Sequence, residues 1–429
     1  MGLKLDDLVL KKNFFEAAKR GTGEAYLIIR DHPKIDFSKE LIKVCIKNYA
    51  YNGQCESSRA PYLFNLIALS NKQEKIKSRI IQRLAVEDRD TWTLVQLFDL
   101  AKIFAQNGSN DAREAIYNRY LTKPVNGSDW AGYAQIVELD GLKGLFYFAE
   151  KLGRAIESNP SDFFDDYFID RFQKNNPDIN LIEKLESAAE TNHYIRLFLK
   201  AAKPGINHRE NYKREIKVFE NPVDEVLNTK SKLRLISKNW TENELVEIAL
   251  QLEIEKKTKS KTQLLLPFIK NIFPGYPESI IDIAKKHNSK KSIIGNRAIS
   301  VLENIQSEKV REFALERIKI DKYPYRFAGI LTSNYKADDY KMLVSLIENT
   351  SNENIIEDLA RHFTSIFYYN STSECLAPLE LLYAKMTCSI HRETVIQILL
   401  ENGVLSEKIK HEIDFDCNKE IQELLIRKT

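Results

Sequence analysis

The sequence predicts an all-α protein, an α-solenoid of short helical hairpins. Three observations predict it. Glycine and proline number only 15 and 12 in 429 residues, about half their usual share, and strands joined by tight turns need both at their corners. Lys, Glu, Leu and Ile dominate, and all tolerate helix. Apolar residues recur with the 3.6-residue period of a helix over short stretches separated by polar breaks.

A chain of 429 residues exceeds one compact core, so it predicts two or three units or one elongated array. Hydrophobic residues at 43% and charged residues at 29% give a folded, soluble balance. Net charge is +3, from 64 basic and 61 acidic residues, too even to imply nucleic-acid binding by charge alone. The start, "MGLKLDDLVLKK", lacks the apolar run of a signal peptide, and Asp6 stands where a myristoylation signal wants Ser or Thr. No window offers about 18 uncharged apolar residues, so no membrane span is expected. Five cysteines, an odd number lying mostly in helical patterns, predict reduced thiols and a cytoplasmic location.

The clearest unit is "NRAISVLENIQSEKVREFALERI", 296–318. Ile294, Ala298, Val301, Leu302 and Ile305 recur at helical spacing. After a break at "QS", Val310, Phe313, Ala314 and Ile318 continue on a second helix, with Ser307 as its expected cap and Glu308 in its positive first turn. Two amphipathic helices with a short break make an αα-hairpin, whose apolar face needs neighbours. They follow: 346–363 superposes on 301–318 without gaps at an offset of 45, and 268–287 superposes at an offset of 33. Stretches 62–85, 93–121 and 133–153 repeat the design.

On these stretches the chain resembles HEAT-like repeats, the armadillo-type helical repeat proteins. The resemblance is strongest at 296–318 and extends in weaker copies over 55–425. It implies a right-handed stack of hairpins with a concave surface for partners. Units in that family run about 40–47 residues, around which the offsets here scatter.

Three segments result: N-terminal repeats over 1–204, an irregular charged junction over 205–239, and C-terminal repeats over 240–429. Loops are expected at 32–34, 51–54, 106–110, 123–129 and 159–162. The junction loses helical periodicity in "KPGINHRENYKREIKVFENPVDEVLNTKSK", 203–232, and a long irregular connection is either functional or a linker. A last helix near 418–427 would cap the array.

Two surfaces stand out. Trp92 and Asp99 lie seven residues apart on one helix face, opposite Leu94, Leu97, Phe98, Ala101 and Ala105. Trp130 and Tyr133 open the equivalent helix of the next unit, and Arg59 opens an earlier one. Stacking would bring such positions about 8–10 Å apart, lining a groove with Arg59, Trp92, Asp99, Trp130 and Tyr133, a usual hot-spot composition. The competing reading is ordinary packing between repeats. HEAT-like alkylpurine DNA glycosylases also use an Asp among aromatics, but only the residue types match. The second surface is a basic edge. Lys256, Lys257, Lys259 and Lys261 lie in one loop, and Lys285, Lys286, Lys290 and Lys291 in another, with Lys319 and Lys322 beyond. Alternate loops of a hairpin stack share an edge, and a row of ammonium groups suits a phosphate backbone or an acidic partner. Solvated lysines at helix ends are the competing reading.

Cys388 and His391 have ligand-like spacing, with His411 and Cys417 downstream, but the gap of that second pair is unusual for zinc. No metal site and no cofactor is predicted. Cys55 has only Arg59 near it and no positioned base. The motifs G-x-x-x-x-G-K-[ST], G-x-G-x-x-G, H-E-x-x-H and G-x-S-x-G are missing, which removes common phosphate-binding and hydrolase routes, and no catalytic residue is assigned. The expected function is a non-enzymatic scaffold presenting a concave surface to a protein partner. The alternative is a nucleic-acid-binding, DNA-repair-related protein using the lysine edge, and a third reading is a nucleotide sensor using the aromatic stripe.

Overall fold

The computed structural model describes residues 5–122, 125, 130–159, 166–211 and 219–426. Every regular element among them is helical and none is a strand, in keeping with the scarcity of turn-forming residues. No helix among them is long and apolar enough to cross a membrane. The chain divides into two compact units, Met1–Ile216 and Lys217–Thr429.

The first unit contains α1 (Leu5–Arg20), α2 (Glu24–Asp31), α3 (Ser38–Cys45), α4 (Ala60–Ala68), α5 (Gln73–Val86), α6 (Thr91–Gln106), α7 (Asn110–Arg119), α8 (Tyr133–Ser158), α9 (Tyr167–Asn175), α10 (Leu181–Thr191) and α11 (His193–Asn211). The second contains α12 (Pro222–Asn228), α13 (Lys232–Ser237), α14 (Glu242–Ile254), α15 (Thr258–Leu264), α16 (Pro277–Lys286), α17 (Ile293–Leu302), α18 (Glu308–Ile320), α19 (Tyr340–Glu348), α20 (Glu353–Tyr369), α21 (Leu376–Lys385), α22 (Ser389–Glu401), α23 (Glu407–Ile413) and α24 (Lys419–Glu423). Short 3-10 turns lie at Pro267–Ile269, Pro324–Thr332 and Ser373–Cys375.

The hairpin at 296–318 forms as α17 and α18, and 346–363 belongs to α19 and α20. At 268–287 the first helix shrinks to a 3-10 turn that starts on Pro267, and Pro274 beyond it cannot continue a helix. The stretch 133–153 lies within α8, which bends sharply at Gly141 (φ 55°, ψ −127°), a backbone shape that only glycine adopts without strain. Residues 205–239 are less irregular than their sequence suggests. Helix α11 runs on to Asn211, and α12 and α13 lie inside the stretch, started by the Asn221 and Ser231 side chains that accept the amides of Asp224 and Arg234. Short helices hold too few residues to display a period. Residues 212–218, the loop at 123–129 apart from Val125, and residues 160–162 lie outside the described residues.

One interaction recurs through both units. A helix leaves its last carbonyls without intrahelical partners, and a polar side chain from a later hairpin donates to them. Arg59 Nη1 donates to the Lys19 carbonyl and Arg119 Nε to that of Leu84. Gln96 Nε2 donates to the carbonyls of Val44 and Cys45 at 3.0 and 2.9 Å. In the second unit Arg297 reaches Thr262, Asn304 reaches Phe268 and Ile269, Arg326 reaches Asn288, Asn370 reaches Thr332, and Lys385 reaches Ile347. Apart from Gln96, donor and acceptor in these ties stand 35 to 40 residues apart in sequence.

Asn334 adds a further tie of this kind. It is buried; its Nδ2 donates to the carbonyls of Ile305 and Ile330 at 2.9 and 3.0 Å, and its Oδ1 accepts the Ser307 amide at 2.9 Å. That amide bond, rather than the expected Ser307 hydroxyl, marks the start of α18, since the hydroxyl makes no capping bond. Asn334→Ala orphans three backbone groups, and at about 1–3 kcal/mol per buried unsatisfied group it should lower stability by about 3 kcal/mol in urea denaturation. Asn349→Ala, which removes an exposed bond within one helix, should stay within about 0.5 kcal/mol of the wild type; equal effects would show that the tie carries no special weight.

Candidate functional site

The site that combines a cavity with perturbed ionisable groups lies in the second unit, where three elements converge. Helix α17 ends at Leu302, so Glu303 projects from its last turn. Helix α20 places Asp358, Arg361 and His362 on one face through i, i+3 and i+4 spacing. The 3-10 turn at Pro324–Thr332 adds Tyr325, Arg326 and Gly329. With Lys290, Asn296, Ile299 and Ser300 these residues enclose a pocket of about 230 Å³, Gly329 excepted, which closes its side.

His362 is buried. Its Nε2 lies 3.2 Å from Arg361 Nη2. A guanidinium only donates, so Nε2 accepts and the ring proton sits on Nδ1, which faces Glu303 Oε1 at 3.7 Å. Burial, reinforced by the Arg361 charge, pushes the imidazole down to about 3 and keeps it neutral. Burial pushes the Glu303 carboxyl up to about 7, against a smaller opposing pull from Arg361. A Cβ at position 329 would stand 2.3 Å from His362 Nδ1 and 2.6 Å from Glu303 Oε1, so glycine is what lets the two side chains share this space. Arg326 is committed to its surroundings, donating to the Asn288 carbonyl and to Asn296 Oδ1, each at 2.7 Å.

Tyr325 also lines a second, apolar groove of about 670 Å³. Leu315 and Ile318 of α18, Met342 and Leu346 of α19, and Ile355 of α20 form its walls with Tyr323 and Pro324. Lys319 and Lys322, both exposed, supply its charge, and no acidic residue lines it among the described residues.

The groove expected in the first unit does not assemble as the spacing suggests. Trp92 and Trp130 do meet, with ring centroids 5.7 Å apart and planes tilted by 54°, and Trp130 keeps 37% of its surface exposed. Asp99 is buried, not grooved: its carboxylate accepts from Ser58 Oγ and Gln135 Nε2, both at 2.6 Å. Helix α6 is covered on nearly all sides, including Thr93, Gln96 and Leu100, so the face opposite its apolar stripe is also interior. Arg59 is buried too, pairing with Glu56 at 3.0 Å while donating to the Lys19 carbonyl. Tyr133 packs among Phe148 and Phe168 and donates its hydroxyl to the Phe168 carbonyl. These three residues hold helices together.

The lysine edge is split. Lys256, Lys261 and Lys286 line one cleft of about 560 Å³, but Glu253, Glu255 and Asp282 line it as well. Glu255 accepts the amides of Lys257 and Lys256, which hold its carboxyl below the usual range. Lys259 and Lys261 lie in α15 rather than a loop. Lys285 stacks over Phe313 at 5.8 Å, and Lys290 lies over Tyr323 and Tyr325 and lines the polar pocket instead. Lys257, Lys259 and Lys291 are exposed and line none of these cavities.

Cys388 and His391 come together with Glu357, their ligand atoms within 4.8 Å of one another. His411 and Cys417 are engaged elsewhere, at the Glu407 carbonyl and the Arg392 guanidinium. Glu357 Oε1 accepts the amides of Thr387 and Cys388 at 2.7 and 2.8 Å, and its Oε2 meets His391 Nδ1 at 2.8 Å. A carboxylate from α20 thus caps the N-terminus of α22, where negative charge is favoured. The Glu303–His362 pair was missed by sequence reasoning. Its signal was present: His362 falls among Leu359, Phe363 and Ile366 on the buried stripe of α20, an expensive place for an ionisable ring.

The Cys388 side chain and then Glu357 raise His391 to about 9. A raised histidine contributes stability that is complete below about pH 6.5, its unfolded value, and is lost as pH climbs through about 9. Urea denaturation of the wild type and His391→Gln should therefore show a stability gap that is widest in mildly acidic buffer and closes on the alkaline side. A gap that ignores pH would refute the charged pair. Comparison with family models, with curated proteins and with solved structures finds no match to this chain.

Proposed function

We propose that the chain is a non-enzymatic interaction scaffold of stacked HEAT-like hairpins, and that the second unit holds a protein partner in the apolar groove beside Tyr325. The recurring ties at 35 to 40 residues support the stacked-repeat reading, because each hairpin then completes its neighbour. The groove carries the functional reading. An apolar cleft of about 670 Å³ with two exposed lysines and no acid suits an apolar peptide segment flanked by carboxylates, in which side chains fill the cleft and charge sets the register. No cofactor enters this function, and the proposed location is the cytoplasm, on the thiol content of the sequence.

A nucleic-acid reading is favoured by one observation, the convergence of Lys256, Lys261 and Lys286 in one cleft. The three carboxylates in the same cleft oppose it, since they repel phosphate at short range. The scaffold is therefore the better-supported reading.

Selection of peptides from a random library on the full chain should enrich apolar sequences with neighbouring Asp or Glu. Their affinity should fall at least about tenfold in Leu346→Lys, the scale of losing one buried apolar anchor of about 1.5–3 kcal/mol, and should become less salt-sensitive in Lys319→Glu/Lys322→Glu. Peptides indifferent to Leu346→Lys would remove the groove from the proposal. Duplex DNA binding that weakens steeply with salt, and is lost in Lys256→Glu/Lys261→Glu/Lys286→Glu, would replace the scaffold with the nucleic-acid reading.

A further inference from the structure

We propose that the polar pocket between the end of α17, the 3-10 turn at Pro324–Thr332 and α20 binds a small zwitterion of the α-amino acid class, its ammonium against Glu303 and its carboxylate toward Arg361 and Lys290. The inference stands apart from the peptide groove, because it rests on different residues.

The first observation is an unsatisfied carboxylate. Among the described residues no donor makes a hydrogen bond to the Glu303 side chain; His362 Nδ1 stands 3.7 Å from it, beyond hydrogen-bond range. Elsewhere in this unit buried carboxylates are saturated: Glu357 accepts from Thr387, Cys388 and His391, and Asp416 accepts from Arg392 and Asn418. Glu303 is half-buried, so its carboxylate faces the pocket with no protein donor on it, and a ligand ammonium would supply three.

The second observation is the distribution of sign. Glu303 faces neutral His362 and cationic Arg361 from α20, Arg326 from the 3-10 turn and Lys290 from the preceding loop, with exposed Asp358 as the other acid. A simple amine would meet three cationic groups with nothing to offer them. A simple carboxylate would meet Glu303. A molecule carrying both charges on neighbouring atoms satisfies both ends. Size agrees, since about 230 Å³ lies below the roughly 300–1,000 Å³ of sites for drug-sized ligands. Gly329 guards the space: any larger residue would push on both His362 and Glu303.

Binding also has a proton signature. The Glu303 carboxyl sits near 7 when the pocket has no ammonium beside it, and a cation favours the ionised form, so an ammonium ligand expels a proton at neutral pH. An anion bound alone would do the opposite.

Thermal melts of the full chain with individual free L-α-amino acids at millimolar concentration should show stabilisation by at least one of them. Propylamine and propionate should each fail alone. Calorimetric titration of the stabilising amino acid near neutral pH, in two buffers of different ionisation enthalpy, should report net proton release. Glu303→Gln preserves shape and removes only the charge, so it should fold as the wild type does, with affinity reduced at least about tenfold, the loss expected for one charge-assisted bond. Gly329→Ala should abolish binding by filling the space. Overturning results are the lack of stabilisation by any amino acid, undiminished affinity in Glu303→Gln, proton uptake on binding, or propionate binding as tightly as the amino acid.

Discussion

The structure depends on how helix ends are completed. Short helices are costly because each terminates with carbonyls that have no partner in the helix itself, and this chain is built almost entirely from short helices. Its solution is to send an Arg, Asn, Gln or Lys side chain from a later hairpin into the carbonyls of an earlier one. Each tie does two jobs. It satisfies an acceptor whose neglect, when buried, costs about 1–3 kcal/mol, and it fixes the register of one helix against another. Apolar burial alone is non-directional, and helices held only by greasy faces would slide.

This explains which parts were legible in the sequence. Helix periodicity is a local property, so the hairpins at 296–318 and 346–363 were readable, together with core positions such as Ala298, Leu302, Val310, Phe313 and Ala314, all buried. The ties were not readable, because nothing local separates Asn304 or Asn370, which donate across hairpins, from Asn349, which bonds within its own helix. The same limit misplaced Asp99 and Arg59. Helical spacing implies a two-faced helix with polar residues outward, whereas α6 is enclosed and its polar residues bond to three other segments. The site was less legible than the fold. Glu303 and His362 lie 59 positions apart only because separate hairpins deliver them to the same cavity, as their shared lining role requires.

Charged groups set into the second unit sort into two kinds. Arg392 is wholly buried, and its Nε and Nη2 donate to the two oxygens of Asp416 at 2.8 and 3.0 Å, with the Asn418 amide adding to Oδ1. Glu357 is equally well served by α22. In both, the protein itself completes the charge, which is what a structural role requires. Glu303 has no such completion. Its environment instead raises the carboxyl toward neutrality, and beside it His362 is kept uncharged. Both shifts have the same leading cause, since burial disfavours the charged form of an acid and of a base alike.

Charge placement also decides between surfaces that look alike in sequence. Both lysine groups of the second unit, 256–261 and 285–291, are rich in ammonium groups, yet the cleft that they share contains as many carboxylates as lysines, with Glu253, Glu255 and Asp282 against Lys256, Lys261 and Lys286. At separations of a few ångströms such charges largely cancel, and what remains is screened within about 10 Å at moderate salt. Lys319 and Lys322 lie beside an apolar groove with no acid in its lining. Fewer charges there produce the cleaner field, and they produce it next to surface that gains by leaving water. The proposed recognition rests on the coincidence of charge with an apolar cleft, a coincidence that counting lysines along the chain does not reveal.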